Sequence, residues 1–443
     1  MKSNIKLIFA SIFALINYLA TNSVWAENLM DVYNLAKDND QVLQAAYQEH
    51  LANLEALPQA RALLLPTITA NYNADKYNYK TNASNIPPLK YNDWQYNLTI
   101  TQQIFQMSTW NELSQAEDKV KKAFATLADA EQSLLLRVSQ QYFEVLKAKD
   151  DLYFNKAEQE ADAKHLEQTK QRYKVGLSAI TDVHDAQARY DSSYAKVIEA
   201  ENSVGIAKEK LREIIGKSIS NLAALKEEIS LPSPNPTNID EWVQTATTKN
   251  WGLQAARYNL ILARKAIQQE NADHFPTAAL NATLGKGKNS SPLQTNDPNL
   301  ITTNKTIGLV LAVPLFKGGL TYSKIKEASY KYEKASRDFE TKYRSTESNA
   351  RQTYSKVSTF LSKIKALKQA VISNDSALKA TQAAYEVGNR TVVDVLDSQS
   401  ALINAENDHS KARYDYIIQS LILKQTAGTL CVEDLQQVNT LLQ

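Results

Sequence analysis

The 443-residue chain is written twice. Arg172-Tyr173-Lys174-Val175-Gly176-Leu177, followed by Ile180-Thr181-Asp182-Val183-His184-Asp185-Ala186-Gln187, returns about 212 residues later. The second version reads Ala384-Tyr385-Glu386-Val387-Gly388-Asn389, then Val392-Val393-Asp394-Val395-Leu396-Asp397-Ser398-Gln399. Leu43 to Ala46 matches Leu253 to Ala256, Pro66-Thr67 matches Pro276-Thr277, and Gly216 and Gly428 continue the register. Self-similarity of this kind means one structural unit built twice, and it constrains the fold more tightly than composition does. The first copy covers 27–231 and the second 239–443. Residues 232–238, with Pro232, Pro234 and Pro236, form a stiff extended linker between them.

Each copy has the same internal order. A helix of about 35 residues is expected from near Leu29 and from near Ile239, ending before Pro66 and Pro276 because the residue before proline leaves the helical region. Two strands then follow. Over Thr67 to Asn73, Ile68, Ala70 and Tyr72 alternate with threonine and asparagine; over Asn92 to Phe105, Leu98, Ile100 and Ile104 oppose Thr99, Thr101 and Gln103. In the second copy Ala278, Leu280, Ala282 and Leu284 oppose Thr277, Asn281 and Thr283, and Thr306 to Phe316 is apolar on both faces. A period of two with one polar face marks half-covered strands. Asn85, Pro87, Pro88, Asn289, Pro292 and Pro298 supply the turns.

Each copy then becomes one very long helix. Residues 106–175 and 320–387 contain neither Gly nor Pro, and about 70 helical residues reach roughly 100 Å. Leu135, Val138, Tyr142, Val145 and Leu152 recur at coiled-coil spacing in one copy, as do Tyr354, Val357, Leu361, Ile364 and Val371 in the other; Lys149 interrupts the first seam. Gly176 and Gly388 turn the chain. A return helix runs from there to Gly216 or Gly428, with Gly205 marking a bend or close packing.

Charge and hydropathy exclude several classes. Lys2 and Lys6 precede every acidic residue, and the rest of the chain carries 48 basic against 48 acidic residues. That is no electrostatic footprint for nucleic acid. A mean hydropathy of −0.41 excludes a bundle of membrane helices but not a β-barrel. Lys2, Lys6, the apolar run Leu7 to Ala20 and Val24-Trp25-Ala26 read as a secretory signal peptide over 1–26. One cysteine, Cys431, excludes an intrachain disulfide framework and reads as a small buried apolar residue. The five histidines show no ligand spacing, and no phosphate loop, nucleophile motif or catalytic carboxylate pair is present. The chain reads as a non-enzyme without cofactor or metal.

Four strands cannot close a barrel, and an open strand edge cannot lie in lipid. Two chains would give eight strands, whose interior fills with side chains; three would give twelve and a lumen. Tyr72, Tyr77, Tyr79, Tyr91, Trp94 and Tyr96 flank the first strands as an interfacial girdle would.

These features together resemble the outer-membrane efflux protein family, the channels of efflux pumps and type I secretion systems. Phe105 to Trp110 looks like the strand-to-helix junction of that family, and Pro314-Leu315-Phe316-Lys317-Gly318-Gly319 like its counterpart in the second repeat. Arg172 to Val183 and Val387 to Gln399 look like the hairpin tips, and Glu27-Asn28-Leu29-Met30 fits the mature start. The resemblance implies a mixed α and β membrane protein with internal duplication. It would be a homotrimeric 12-stranded β-barrel, four strands per chain, in the outer membrane, continuous with a long α-helical coiled-coil barrel in the periplasm. Segments near 218–240 and 429–443 would pack as an equatorial belt. Its partners would be a periplasmic adaptor (membrane fusion) protein, an inner-membrane transporter and outer-membrane lipid.

The resemblance also implies a gate. Asp394 and Asp397 fall where carboxylates ring the periplasmic constriction; three apart on one helix, both can face the axis, and six in a trimer would attract cations. Thr181, Asp182, Tyr385 and Arg390 match the polar latch of the inner hairpin. Val175-Gly176-Leu177 and Val387-Gly388-Asn389 would dock the adaptor. A plainer reading stands beside this one. Acidic residues in a first helical turn cap the helix, Thr391-x-x-Asp394 reads as a capping box, and Asp185 reads as a cap. A periplasmic adaptor or a trimeric adhesin stalk is the alternative overall. The former would have a single hairpin, and the latter its strands at one terminus.

Overall fold

A computed structural model of the chain describes residues 27–80, 82, 88–219, 221–229, 231–290, 297 and 300–443. The expected signal peptide, and Asn85, Pro87, Pro292 and Pro298 of the strand loops, lie outside the described residues. In chain order the elements are α1 (Leu29–Asn39), α2 (Gln41–Leu54), α3 (Ala56–Ala62), β1 (Thr67–Tyr79), β2 (Leu89–Phe105), α4 (Met107–Lys174) and α5 (Ile180–Ile215). The second copy supplies α6 (Ile239–Lys249), α7 (Trp251–Asn271), a 3₁₀ turn at Ala272–His274, β3 (Thr277–Asn289), β4 (Leu300–Ala312), α8 (Leu320–Glu386) and α9 (Val392–Thr426), before a terminal α10 (Val432–Asn439). The chain forms two compact units: residues up to Ala46 with 128–250 and 345–443, and residues 47–127 with 251–344. The long helices α4 and α8 contribute to both.

The opening helix of each copy is broken, contrary to the expectation of one helix of about 35 residues. In the first unit α1 begins on a capping box, with Asn28 Oδ1 accepting from the amides of Met30 and Asp31 at 2.9 and 3.0 Å. It stops at Asp40, which is extended (φ −68°, ψ 111°). The buried Asp40 carboxylate accepts from Arg137 Nη1 and Nη2 at 3.0 and 2.7 Å and from the Leu43 amide at 2.7 Å. It thus ends one helix, caps the next and anchors both to α4. The equivalent break in the second copy is Asn250 (φ −59°, ψ 120°), whose amide group donates to the Thr426 carbonyl at 3.0 Å. Each return helix ends on its glycine against the break of its own copy. Gly216 packs beside Asn39, and a Cβ on Gly428 would overlap the carbonyl of Lys249. The duplication is therefore three-dimensional as well as linear.

The core of this unit holds Leu29, Val32, Tyr142, Phe143, Leu211, Trp242 and Leu435, all buried. Segments from both ends of the expected belt pack over it. Glu27 pairs with 221–223, and Lys226 N and Gln443 N donate to the carbonyls of Leu441 and Ala224 at 3.0 and 2.9 Å. Tyr142 Oη donates to the Ala223 carbonyl at 2.7 Å, tying belt to α4. The phenol's burial raises its pKa well above the ordinary range. Two expectations fail here. Gly205 sits inside a continuous α5 with open space where a Cβ would lie, so it does not mark close packing. Cys431 is exposed, because it occupies the N-cap position of α10, where the chain has not yet turned inward; its Sγ contacts Asp434 Oδ2 at 3.3 Å.

In the second unit the four strands form one antiparallel sheet in the order β1-β2-β3-β4, so the two copies meet at β2–β3 and β1 and β4 are its edges. Cα pairing aligns Ile68, Ile100, Ala282 and Ile307 in one row, and Ala70, Leu98 and Leu284 in the next. The opposite face carries rows such as Thr69-Thr99-Thr283-Thr306 and Asn71-Asn97-Gly285-Asn304. On the apolar face Ile68 is 66% exposed, Ile307 81% and Leu309 67%. Strands β1 and β2 extend beyond Asn73 and start before Asn92, past the expected limits. Strand β4 stops at Ala312 rather than Phe316, because Pro314 has no amide to donate to a ladder. The expected girdle is split by the pleat. Tyr72, Trp94 and Tyr96 lie on the apolar face, whereas Tyr77 and Tyr91 pair on the polar face with rings stacked at 4.9 Å, and Tyr79 pairs with Leu89. Among the described residues, no helix is long and apolar enough to cross a membrane.

Candidate functional site

Both hairpin ends are closed by the same backbone device. After α4, Gly176 takes φ +73°, its amide donates to the Tyr173 carbonyl at 3.0 Å, and Leu177 N donates to Arg172 O at 2.9 Å. After α8, Gly388 takes φ +80°, donating to Tyr385 O at 3.0 Å, and Asn389 N donates to Ala384 O at 2.8 Å. This pair of bonds is a Schellman end, which needs a left-handed residue and so a glycine. It leaves Val175, Leu177 and Val387 projecting, about 70% exposed each.

The return helices start on acidic caps. Asp182 Oδ2 accepts from Ser178 Oγ at 2.6 Å and from the Ala179 amide at 3.1 Å. Those bonds, with help from Thr181 and Arg172, hold its carboxyl below the ordinary range. The Thr391 amide and Oγ both donate to Asp394 Oδ2 at 2.8 Å, while Asp394 N donates back to Thr391 Oγ1 at 3.2 Å. The Thr391 backbone bond, its hydroxyl and Arg390 likewise depress Asp394. The cap in the first hairpin is Asp182; Asp185 is exposed one turn further on and does not serve as the expected cap.

Asp397 lies beyond the cap and reaches across to the other hairpin, where Arg189 Nη1 donates to its Oδ1 at 2.7 Å. A second cross-hairpin bond runs from Arg172 Nη1 to Tyr385 Oη at 3.0 Å. Of the expected latch residues, Thr181 and Asp182 stay within their own cap. Arg390, in the turn before α9, pairs with Asp394 of its own hairpin at 3.6 Å, and Tyr385 is the one that meets the other hairpin. Arg172 and Arg189 are the members that sequence reasoning missed. A signal was available: in the second copy their places are taken by Ala384 and Ala401, so the copies differ where they touch. Further along, Asp150 and Asp151 of α4 accept from Ser410 Oγ at 2.5 Å, Tyr414 Oη at 3.0 Å, Asn407 Nδ2 at 2.7 Å and Lys411 Nζ at 2.6 Å. These side chains bind the two hairpins into one body. Carboxylates and guanidinium groups within reach of one another, at exposed tips, can rearrange without exposing a core. Among the described residues, no group of three or more His, Cys, Asp or Glu could hold a metal ion.

Comparison with known proteins agrees with this architecture. The family described as outer membrane efflux protein matches residues 32–217 and 242–429. The chain is 40% identical over 421 residues to the outer membrane protein TolC of Vibrio cholerae, covering 95% of this chain and 94% of that protein. It is 29% identical to the alkaline protease secretion protein AprF of Pseudomonas aeruginosa, covering 95% and 88%. Among solved structures, the Campylobacter jejuni CmeC outer membrane channel superposes with a TM-score of 0.79 at 16% identity, covering 94% and 90%.

Proposed function

The chain belongs to the outer membrane efflux protein family and is an outer-membrane channel for efflux or secretion, and from that premise we propose that it works as a homotrimer gated at its hairpin tips. The observation that carries the proposal is the open sheet. Its two edges, β1 and β4, cannot remain unpaired in lipid, and its exposed apolar face is the wrong surface for water. Three such sheets joined β1 to β4 give a closed wall of twelve strands, enough to leave a lumen. The threonine and asparagine face lines that lumen, giving a hydrophilic duct that discriminates little between solutes. A single adaptor hairpin or a terminal adhesin sheet does not generate a sheet shared between two repeats.

At the hairpin tips, Asp394 and Asp397 of three chains form the constriction. Arg172–Tyr385 and Arg189–Asp397 hold the hairpins of each chain together, while Thr181, Asp182 and Arg390, bonded locally at the starts of the return helices, are the latch residues that exchange those bonds for contacts with a neighbouring chain. Exposed pairs are worth about 0–1 kcal/mol each, so a set of them closes the duct yet yields to a partner. The apolar tips Val175, Leu177 and Val387, with Gly176, Gly388 and Asn389 setting the turns, are the docking points for a periplasmic adaptor, which links the channel to an inner-membrane transporter. The Pseudomonas relative's name favours protein secretion as one use of the duct. Crosslinking in whole cells followed by purification tests this reading. A trimer that carries an adaptor and a transporter, and conducts in planar bilayers, is the expected result. A monomer without conductance overturns it.

A further inference from the structure

Beyond the aliphatic band, the lipid-side face of the sheet changes character within a few rows, at the strand ends away from the helices. The row Ala70-Leu98-Leu284 ends on Lys305. The next is Tyr72-Tyr96-Lys286-Thr303, then Ala74-Trp94-Lys288-Ile301, then Lys76-Asn92 and Asn78-Lys90. Every lysine of the four strands therefore lies on the outward face. The strands' two acidic residues, Asp75 and Asp93, pair with each other on the inward face. The connecting loops add Lys80 and Asp297. Lys76, Lys90, Lys286 and Lys305 are exposed and Lys288 half-buried, while Trp94 and Tyr96 stack with centroids 6.1 Å apart among them.

Rows on one face are about 7 Å apart and neighbouring strands about 5 Å. Lys286, Lys288 and Lys305 are thus adjacent or diagonal neighbours whose flexible arms can converge on one multivalent anion. Like charges so placed repel, and the two strand aspartates lie on the opposite face, away from the ammonium groups. Tyrosine and tryptophan beside the end of an aliphatic band mark the headgroup level of a bilayer. We propose that this lysine and aromatic rim is a docking surface for lipids bearing phosphomonoester headgroups, in the leaflet farther from the helices. The ammonium groups hold the phosphates, and Tyr72, Trp94 and Tyr96 pack against the sugar or glycerol portion and the upper acyl chains.

The test uses the full-length trimer in nanodiscs of phosphatidylcholine containing a minor fraction of diphosphoryl lipid A, with native mass spectrometry reading the lipids retained. Each lysine near such a surface contributes a factor of about five, so the lipid should be enriched over phosphatidylcholine by at least roughly tenfold. The variant K76Q/K286Q/K288Q/K305Q should lose that enrichment, and the same four positions changed to arginine should keep it. Heat-resistant trimer bands and single-channel conductance, unchanged in the glutamine variant, verify that it is folded. K286Q and K288Q singly give graded losses if the combined variant does not assemble. Equal retention by wild type and glutamine variants overturns the proposal. So does equal enrichment of phosphatidylglycerol, which carries a phosphodiester only. Either failure leaves the channel reading standing, since that reading is tested by conductance.

Discussion

At the scale of single residues, the hairpin ends separate two jobs that the sequence alone left superposed. Asp182 and Asp394 are committed to helix caps by short bonds to Ser178, Ala179 and Thr391. Asp397 is free of the cap and 61% exposed, and it takes Arg189 as partner. Asp394 can face a trimer axis while capping, because a carboxylate has lone pairs to spare. Replacing Asp394 and Asp397 by alanine should abolish block by multivalent cations in single-channel recordings; block that persists at wild-type concentrations would remove the ring from the account. Arg189→Ala deletes a bond between hairpins, and Arg390→Ser removes the cation beside Asp394. Each should raise open-state conductance or its frequency, and an unchanged closed state would take that arginine out of the latch.

At the scale of elements, the breaks at Asp40 and Asn250 explain how one repeat builds both a helical layer and a strand pair. A continuous helix would run past the end of the return helix; the break lets Gly216 and Gly428 seat against it. Asp40 is the costlier of the two to lose, since its removal strands a partly buried Arg137. Asp40→Ala should destabilise the folded chain by about 3 kcal/mol, read as a lower thermal midpoint. Adding Arg137→Met should recover part of the loss. If the double variant melted no higher than the single one, the ion pair would not be the source of the cost.

At the scale of the whole molecule, the two faces of the sheet predict opposite responses to charge. Leu309 sits on the exposed apolar face and Thr283 on the polar one. Leu309→Arg places a cation against hydrocarbon at a cost of about 2–4 kcal/mol per chain, and should sharply reduce heat-resistant trimers in outer-membrane fractions. Thr283→Arg should leave trimer yield intact and shift ion selectivity towards anions. Equal loss of trimers in both variants would mean that the faces have been assigned wrongly.

Much of this protein was legible in the sequence because its information is periodic. Two copies in register, alternation by two and long runs free of Gly and Pro fix strands and long helices through backbone geometry, with little help from packing. The strand-to-helix junctions, the glycine turns and the acidic first turns were visible for the same reason. What the tertiary structure decided depends on partners distant in sequence. Asp40 breaks a helix that has good local periodicity only because Arg137 neutralises it in the interior. Tyr77 and Tyr91 share the polar face, opposite Tyr72 and Tyr96, because the pleat assigns faces by parity and not by residue type. Arg172 and Arg189 find their partners Tyr385 and Asp397 only once α4 and α5 lie beside α8 and α9. Local propensity reads along the chain, whereas charge pairing and face assignment are settled across it.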